Sequence, residues 1–214
     1  MIEIAGLELL PAWPVFLGFA VAGLALNIVP GADMTFVIAS AARGGRRDGV
    51  VAALGIGAGT LFHILAATLG LSAILASSQT AFNLIKWAGA AYLLWIAVSL
   101  VRGKQAPAAA ARPSGRTFRT AMLINILNPK VALFFLAFLP QFVDPAAAMP
   151  SLQILCLGLW FDLVGTLVNI VIALAAAGAA ARLGGVAWIG KAARWLAATL
   201  MGALALQLAL AARR

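Results

Sequence analysis

The chain has 214 residues, 64% of them hydrophobic and only 10% charged, with a mean hydropathy of +1.05. No soluble domain of this size can hide so much apolar surface, so composition excludes the soluble classes and defines a membrane protein. The net charge of +9 does not point to nucleic acid, because the basic residues cluster in short gaps between apolar runs, which is the positive-inside pattern.

Residues 1–10 carry Glu3 and Glu8 but no Lys or Arg, so the basic region of a cleaved signal peptide is missing and no cleavage is expected. Spans of about 20 apolar residues are the unit that follows. The first covers 13–42 and is interrupted at 30–33. The second, 49–76, is broken only by His63. The third, 82–101, has Lys86 near its start and Arg102 closing it. Residues 102–119, rich in Ala, Pro and Arg, predict a solvated cytoplasmic loop. The fourth span, 120–143, is broken at Asn128-Pro129-Lys130. The fifth, 152–181, contains Asp162, and the sixth is 188–211. The fold class is an all-α polytopic membrane protein with six transmembrane helices. The whole of 1–214 forms a single transmembrane domain, with halves 1–101 and 120–214 joined by the loop.

Arg43, Arg46 and Arg47 lie between spans one and two, Arg102 to Arg119 between three and four, and Arg182, Lys191 and Arg194 between five and six. These gaps are therefore cytoplasmic and both termini lie outside; Arg213 and Arg214 count mildly against this. The halves also resemble each other. Asn27-Ile-Val-x-Gly31 matches Asn125-Ile-Leu-x-Pro129, and Gly59-Thr60-Leu61-Phe62-His63 matches Gly165-Thr166-Leu167-Val168-Asn169. A repeated half of three spans must insert upside down, which gives two inverted three-helix repeats with a site near the midplane between them.

Helices 1 and 4 are each broken at a Pro-containing motif that also carries an ionisable residue. A charge in hydrocarbon costs roughly 2.5–3.5 kcal/mol by insertion scales, and broken backbone persists only where it faces a watery or ligand-binding interior. Asp33, after Pro30 and Gly31, is a proton carrier or counter-charge for a substrate ammonium, or else a carboxylate looking into water at a helix end. Lys130, after Asn128 and Pro129, binds a substrate carboxylate or pairs with an acid, or else snorkels to an interface. Asp162 sits near mid-span, where desolvation favours the neutral acid and so suits proton coupling; a structural hydrogen bond is the alternative. His63 is a helix-to-helix hydrogen-bond partner or a proton relay. Asn27, Asn125 and Asn128 cap half-helix ends or contact a polar substrate. Gly55, Gly57 and Gly59 read as a close-packing face, and small-residue faces of this kind also allow a homodimer. Cys156, the single cysteine, reads as a small core residue. No metal-binding cluster, cofactor motif or phosphate-cradling loop is present, and the lone His has no nucleophile beside it, so an enzyme is disfavoured.

Together these residues resemble the LysE/RhtB family of bacterial amino-acid exporters. The likeness rests on Pro-Gly-Ala-Asp-Met at 30–34, on Arg43-Gly-Gly-Arg-Arg-Asp-Gly49 and on Ala53-Leu-Gly-Ile-Gly57. It continues in Lys86-Trp-Ala-Gly-Ala-Ala-Tyr-Leu-Leu94 and in the run Asn125-Ile-Leu-Asn-Pro-Lys130 through Pro140-Gln-Phe142. The resemblance implies six spans and proton-driven efflux of amino acids across the bacterial inner membrane, with amino acid, protons and lipid as partners. It places functional candidates on Pro30, Gly31, Asp33, Asn128, Pro129 and Lys130. Two departures stand out. Ala32 replaces a usual second proline, and Thr60 stands where many relatives carry an acid, a role Asp162 would then take over. A passive channel is the rival reading, with an intramembrane enzyme or assembly factor further behind.

Overall fold

The computed structural model describes residues 2–4, 7–71, 116–144 and 146–182, with isolated positions between 80 and 102 and between 199 and 206. The expected third and sixth spans, and most of the loop 102–119, lie outside the described residues. Two short antiparallel strands, β1 (Ile2–Ile4) and β2 (Leu7–Leu10), pair Ile2 with Leu10 and Ile4 with Leu7. The remaining elements are helical.

Helix α1 (Trp13–Ile28) carries Pro14 in its first turn, where a missing N–H costs nothing. It stops because Val29 precedes Pro30 and adopts an extended ψ of 121°, as the clash with a proline ring demands. Gly31 is also extended, and α2 (Ala32–Ala66) begins directly after it. The interruption expected at 30–33 is therefore centred at 29–31, with Asp33 already inside the next helix. A π-helical turn, Ala67–Leu71, continues α2.

Gly45, inside α2, has φ 70° and ψ −166°, a conformation that side chains with a Cβ rarely adopt. The chain doubles back at this point. A Cβ on Gly49 would fall 2.7 Å from that of Ala41, whereas eight residues of straight helix rise about 12 Å. The gap at 43–48 is thus no loop but a turn at one glycine. Beyond it come α3 (Thr117–Ile126), α4 (Pro129–Leu133) and α5 (Pro150–Arg182). A π-helical turn, Phe134–Phe138, and a 3-10 turn, Leu139–Phe142, extend α4.

Pro150–Gly178 is long and apolar enough to cross a bilayer, Ala32–Gly70 is so by length and composition although it folds back at Gly45, and Thr117–Ile126 with Pro129–Phe142, bent by 45° at their break, form a third candidate. The exposed residues show what surrounds them. Trp13, Leu17, Val21, Leu24 and Ile28 form one stripe on α1, and Leu159, Leu163, Leu167, Val171 and Leu174 another on α5. Apolar stripes left uncovered at helical spacing suit lipid rather than water, while Asp33, Thr60, His63, Asn125 and Lys130 are buried. This is an all-α membrane protein.

Two apolar clusters form the interior. One is aromatic, with Phe16, Phe19, Phe134, Phe138, Phe142 and Phe161 in mutual contact. The other, nearer the Gly45 turn, is built from Phe36, Val37, Ala41, Ala52, Ala53, Ile56, Ala121 and Ala173. Helices approach closely around the second. A Cβ on Gly55 would fall 2.5 Å from the Phe118 carbonyl oxygen, and one on Gly57 2.5 Å from Thr166 Oγ1. The glycine face of the second span is thus used within the chain, and a homodimer would need another surface. Cys156 is a half-buried free thiol.

Replacing Gly45 by Val should lower stability by about 1–2 kcal/mol, the cost of a left-handed residue with a Cβ, read as an earlier thermal unfolding in detergent. Gly70→Ala, where nothing lies within 4 Å, should leave it unchanged. Equal unfolding of Gly45→Val and wild type would mean that the chain does not turn at Gly45.

Candidate functional site

The two breaks meet. In each broken helix the second residue of the new helical segment is charged: Asp33 in α2, Lys130 in α4. Each side chain reaches the end of the other broken helix. Asp33 Oδ2 accepts from Asn125 Nδ2 at 3.0 Å, near the C-terminus of α3. Lys130 Nζ donates to the Leu26 and Val29 carbonyls, at 3.3 and 3.2 Å, at the C-terminus of α1. The field of a helix favours an anion at its N-terminus and a cation at its C-terminus, which suits Asp33 in the first turn of α2 and the Lys130 ammonium at the end of α1. Lys130 is 9% and Asp33 8% exposed, so neither alternative weighed from sequence, snorkelling for the lysine or water for the aspartate, describes the structure.

Asn125 is the hub. Besides Asp33, its Oδ1 lies 3.3 Å from Thr60 Oγ1, which also reaches the Ile56 carbonyl. Its carbonyl oxygen is 3.0 Å from His63 Nε2; a carbonyl can only accept, so Nε2 carries a proton. His63 also lies flat against Phe135. Asn128 caps α4, its Oδ1 accepting from the Lys130 backbone N–H at 3.0 Å. Asn27 instead crosses to α5, where Nδ2 donates to the Phe161 carbonyl at 3.4 Å.

Between these groups lies a polar cavity of about 30 Å³, room for roughly two waters. Of the residues singled out from the sequence, Asn27, Asp33, Thr60, Asn125, Lys130 and Asp162 line it, while Pro30, Gly31, His63, Asn128 and Pro129 do not. The prolines shape the breaks from behind, and Pro129 is exposed. Asp162 is half-buried, with Thr166 Oγ1 3.5 Å from its Oδ1. Thr166, Asn169, Met34 and Phe161 also line the cavity. Thr166 and Asn169 were absent from the sequence candidates although the match of Gly165-Thr166 to Gly59-Thr60 pointed at them. Asp33 Oδ1 and Asn128 Nδ2 are buried without a hydrogen-bond partner. Among the described residues, no group of three or more His, Cys, Asp or Glu is placed to hold a metal ion.

Charge buried at paired breaks, around a polar cavity in an apolar helical body, defines a membrane translocator in its general build. The chain belongs to the LysE type translocator family, whose model matches residues 24–212; it is a transporter and not an enzyme. It is 36% identical to an uncharacterised membrane protein of Pseudomonas aeruginosa, over 65% of this chain and 69% of that one. It is 28% identical to a leucine efflux protein of an Enterobacter species, over 70% and 73%. It is 33% identical to a homoserine/homoserine lactone efflux protein of Salmonella typhimurium, over 56% and 60%. No solved structure matches the chain.

Asn125→Leu removes the partner of Asp33 Oδ2 and of Thr60 at once. Leaving buried polar groups unpaired costs about 1–3 kcal/mol, so this variant should unfold earlier in detergent than wild type. Unchanged unfolding would mean that Asn125 does not hold α2 and α3 together.

Proposed function

We propose that this chain is a secondary-active exporter of amino acids or small amino-acid derivatives in the bacterial inner membrane, coupled to protons and working by alternating access. The observation that carries the reading is the cavity at the meeting of two broken helices, with one buried carboxylate and one buried ammonium on its wall. A zwitterion needs that pair of charges. Membership in the LysE type translocator family and the efflux proteins among the relatives support the same substrate class.

The architecture we propose is six spans in two inverted repeats. Reciprocal packing supports it: Asn125 of the second half lies against Gly59, and Asn27 of the first against Gly165, each leaving a Cβ 2.7 Å from the asparagine. Residues matched by sequence thus exchange places across the interface, as a two-fold relation requires. The cavity lies between the aromatic cluster and the small-residue cluster. Apolar packing on both sides favours a carrier over an open pore. At about 30 Å³ the cavity is too small for an amino acid, so loading requires the halves to part.

In the cycle, Asp33 or Asp162 carries the coupling proton and exchanges it for the substrate ammonium, and Lys130 receives the carboxylate. In proteoliposomes loaded with single amino acids, wild type should show saturable counterflow for one group of substrates. Asp33→Asn should lose uphill export under an imposed proton gradient by at least about tenfold, the effect of one essential charge, while its unfolding stays close to wild type. Export at the wild-type rate would remove Asp33 from the coupling step. Flux that neither saturates nor exchanges would mark a channel.

A further inference from the structure

We propose that Lys130 is a tethered occupant of the seat for a primary ammonium group, formed by the Leu26 and Val29 carbonyls and the Asp33 carboxylate. The inference deepens the exporter reading and rests on it for the identity of the natural ligand. The seat itself stands on geometry.

The break at 29–31 leaves the last carbonyls of α1 without helical donors, at the negative end of the helix field. Lys130 Nζ sits on two of them, at 3.3 and 3.2 Å. Gly31 leaves room for this approach, since a Cβ there would fall 3.3 Å from Nζ. Asp33 supplies the opposite charge: it lines the same cavity and is more than nine-tenths buried. Its Oδ1 has no hydrogen-bond partner. Two carbonyls and a half-satisfied carboxylate make a set of acceptors for an R–NH₃⁺ group with three donors. Lys130 satisfies two of those acceptors with the same chemical group an amino acid carries.

A substrate ammonium and the Lys130 ammonium therefore exclude each other. When an amino acid arrives, its ammonium takes the two carbonyls and completes the contacts of Asp33. Lys130, displaced on its flexible stem, turns to the substrate carboxylate. When the substrate leaves, Lys130 returns and closes the cavity again. The lysine thereby keeps the acceptors filled between turnovers, in a region where unfilled ones are costly.

The test is chemical rescue of purified Lys130→Ala in detergent, read by thermal unfolding with butylammonium, a primary alkylammonium that restores the missing charge and N–H donors. Saturating butylammonium should raise the unfolding temperature by roughly 5–10 °C, the size expected of a ligand at about a hundred times its Kd in a chain of this length. Neither 1-butanol, which lacks the charge, nor tetramethylammonium, which lacks N–H donors, should do so. The double variant Lys130→Ala, Asp33→Asn should lose the rise. A shift no larger than that with butanol, or one that survives Asp33→Asn, overturns the seat.

If Lys130→Ala does not fold, wild type serves. Amine acetylation at Lys130, read by peptide mass spectrometry as a ratio to that of the Lys104 peptide so that reagent consumed by the added amine cancels, should be slow alone and at least about tenfold faster with saturating butylammonium, as a displaced amine requires. No acceleration overturns the seat. Loss of the rescue with amino-acid counterflow intact would leave the exporter standing without this seat. Rescue without amino-acid counterflow would keep the seat and assign it to another primary amine.

Discussion

The reciprocal brace between the two broken helices is the interaction on which the rest of the structure depends. Each break exposes unpaired backbone at the centre of an apolar body, where a lone polar group is expensive. Backbone at each is met by a remote side chain: Lys130 donates to the Leu26 and Val29 carbonyls at the end of α1, and His63 to the Asn125 carbonyl at the end of α3, while Asp33 accepts from the Asn125 side chain. The two charges are tolerable because Asp33 sits at the N-terminus of α2, Lys130 at the C-terminus of α1, and both line one cavity.

Such a brace is also well suited to being broken. Its bonds run between segments remote in sequence, α1 to α4 and α2 to α3, and the cavity at its centre has room for only about two waters. A solute that offers both an ammonium and a carboxylate can replace the internal contacts with contacts of the same kind. Exchange of like for like keeps the cost of parting the halves low, which a carrier needs in order to cycle. The apolar clusters on either side of the polar layer differ in character, one aromatic and one of small residues.

Much of this was legible in the sequence because the signals were local. Pro30 and Pro129 dictate where helices stop, and ionisable residues beside them have few ways to exist in a membrane, so Asp33, Lys130 and Asn125 could be selected directly. Asp162 stood out for the same reason. The partners could not be assigned, because pairing depends on how remote segments pack: nothing local says that Lys130 meets the carbonyls of Leu26 and Val29. The turn at Gly45 was hidden within a basic stretch that read as an ordinary connection, and Thr166 and Asn169 looked unremarkable in an apolar span. Their only signal was the internal repeat. The spans around 82–101 and 188–211 rest on hydropathy alone.

The central claim is that the polar layer opens alternately to the two faces of the membrane, and a single cysteine tests it most directly. Thr166→Cys, in a chain whose only native cysteine is replaced by Cys156→Ser, places a thiol on the cavity wall. Reactivity with a membrane-impermeant thiol reagent would be followed from each face in oriented vesicles. The expected result is labelling from both faces, with an imposed proton gradient shifting reactivity from one face to the other. Labelling from one face only under every condition, or from both with no such shift, would contradict alternating access at this layer.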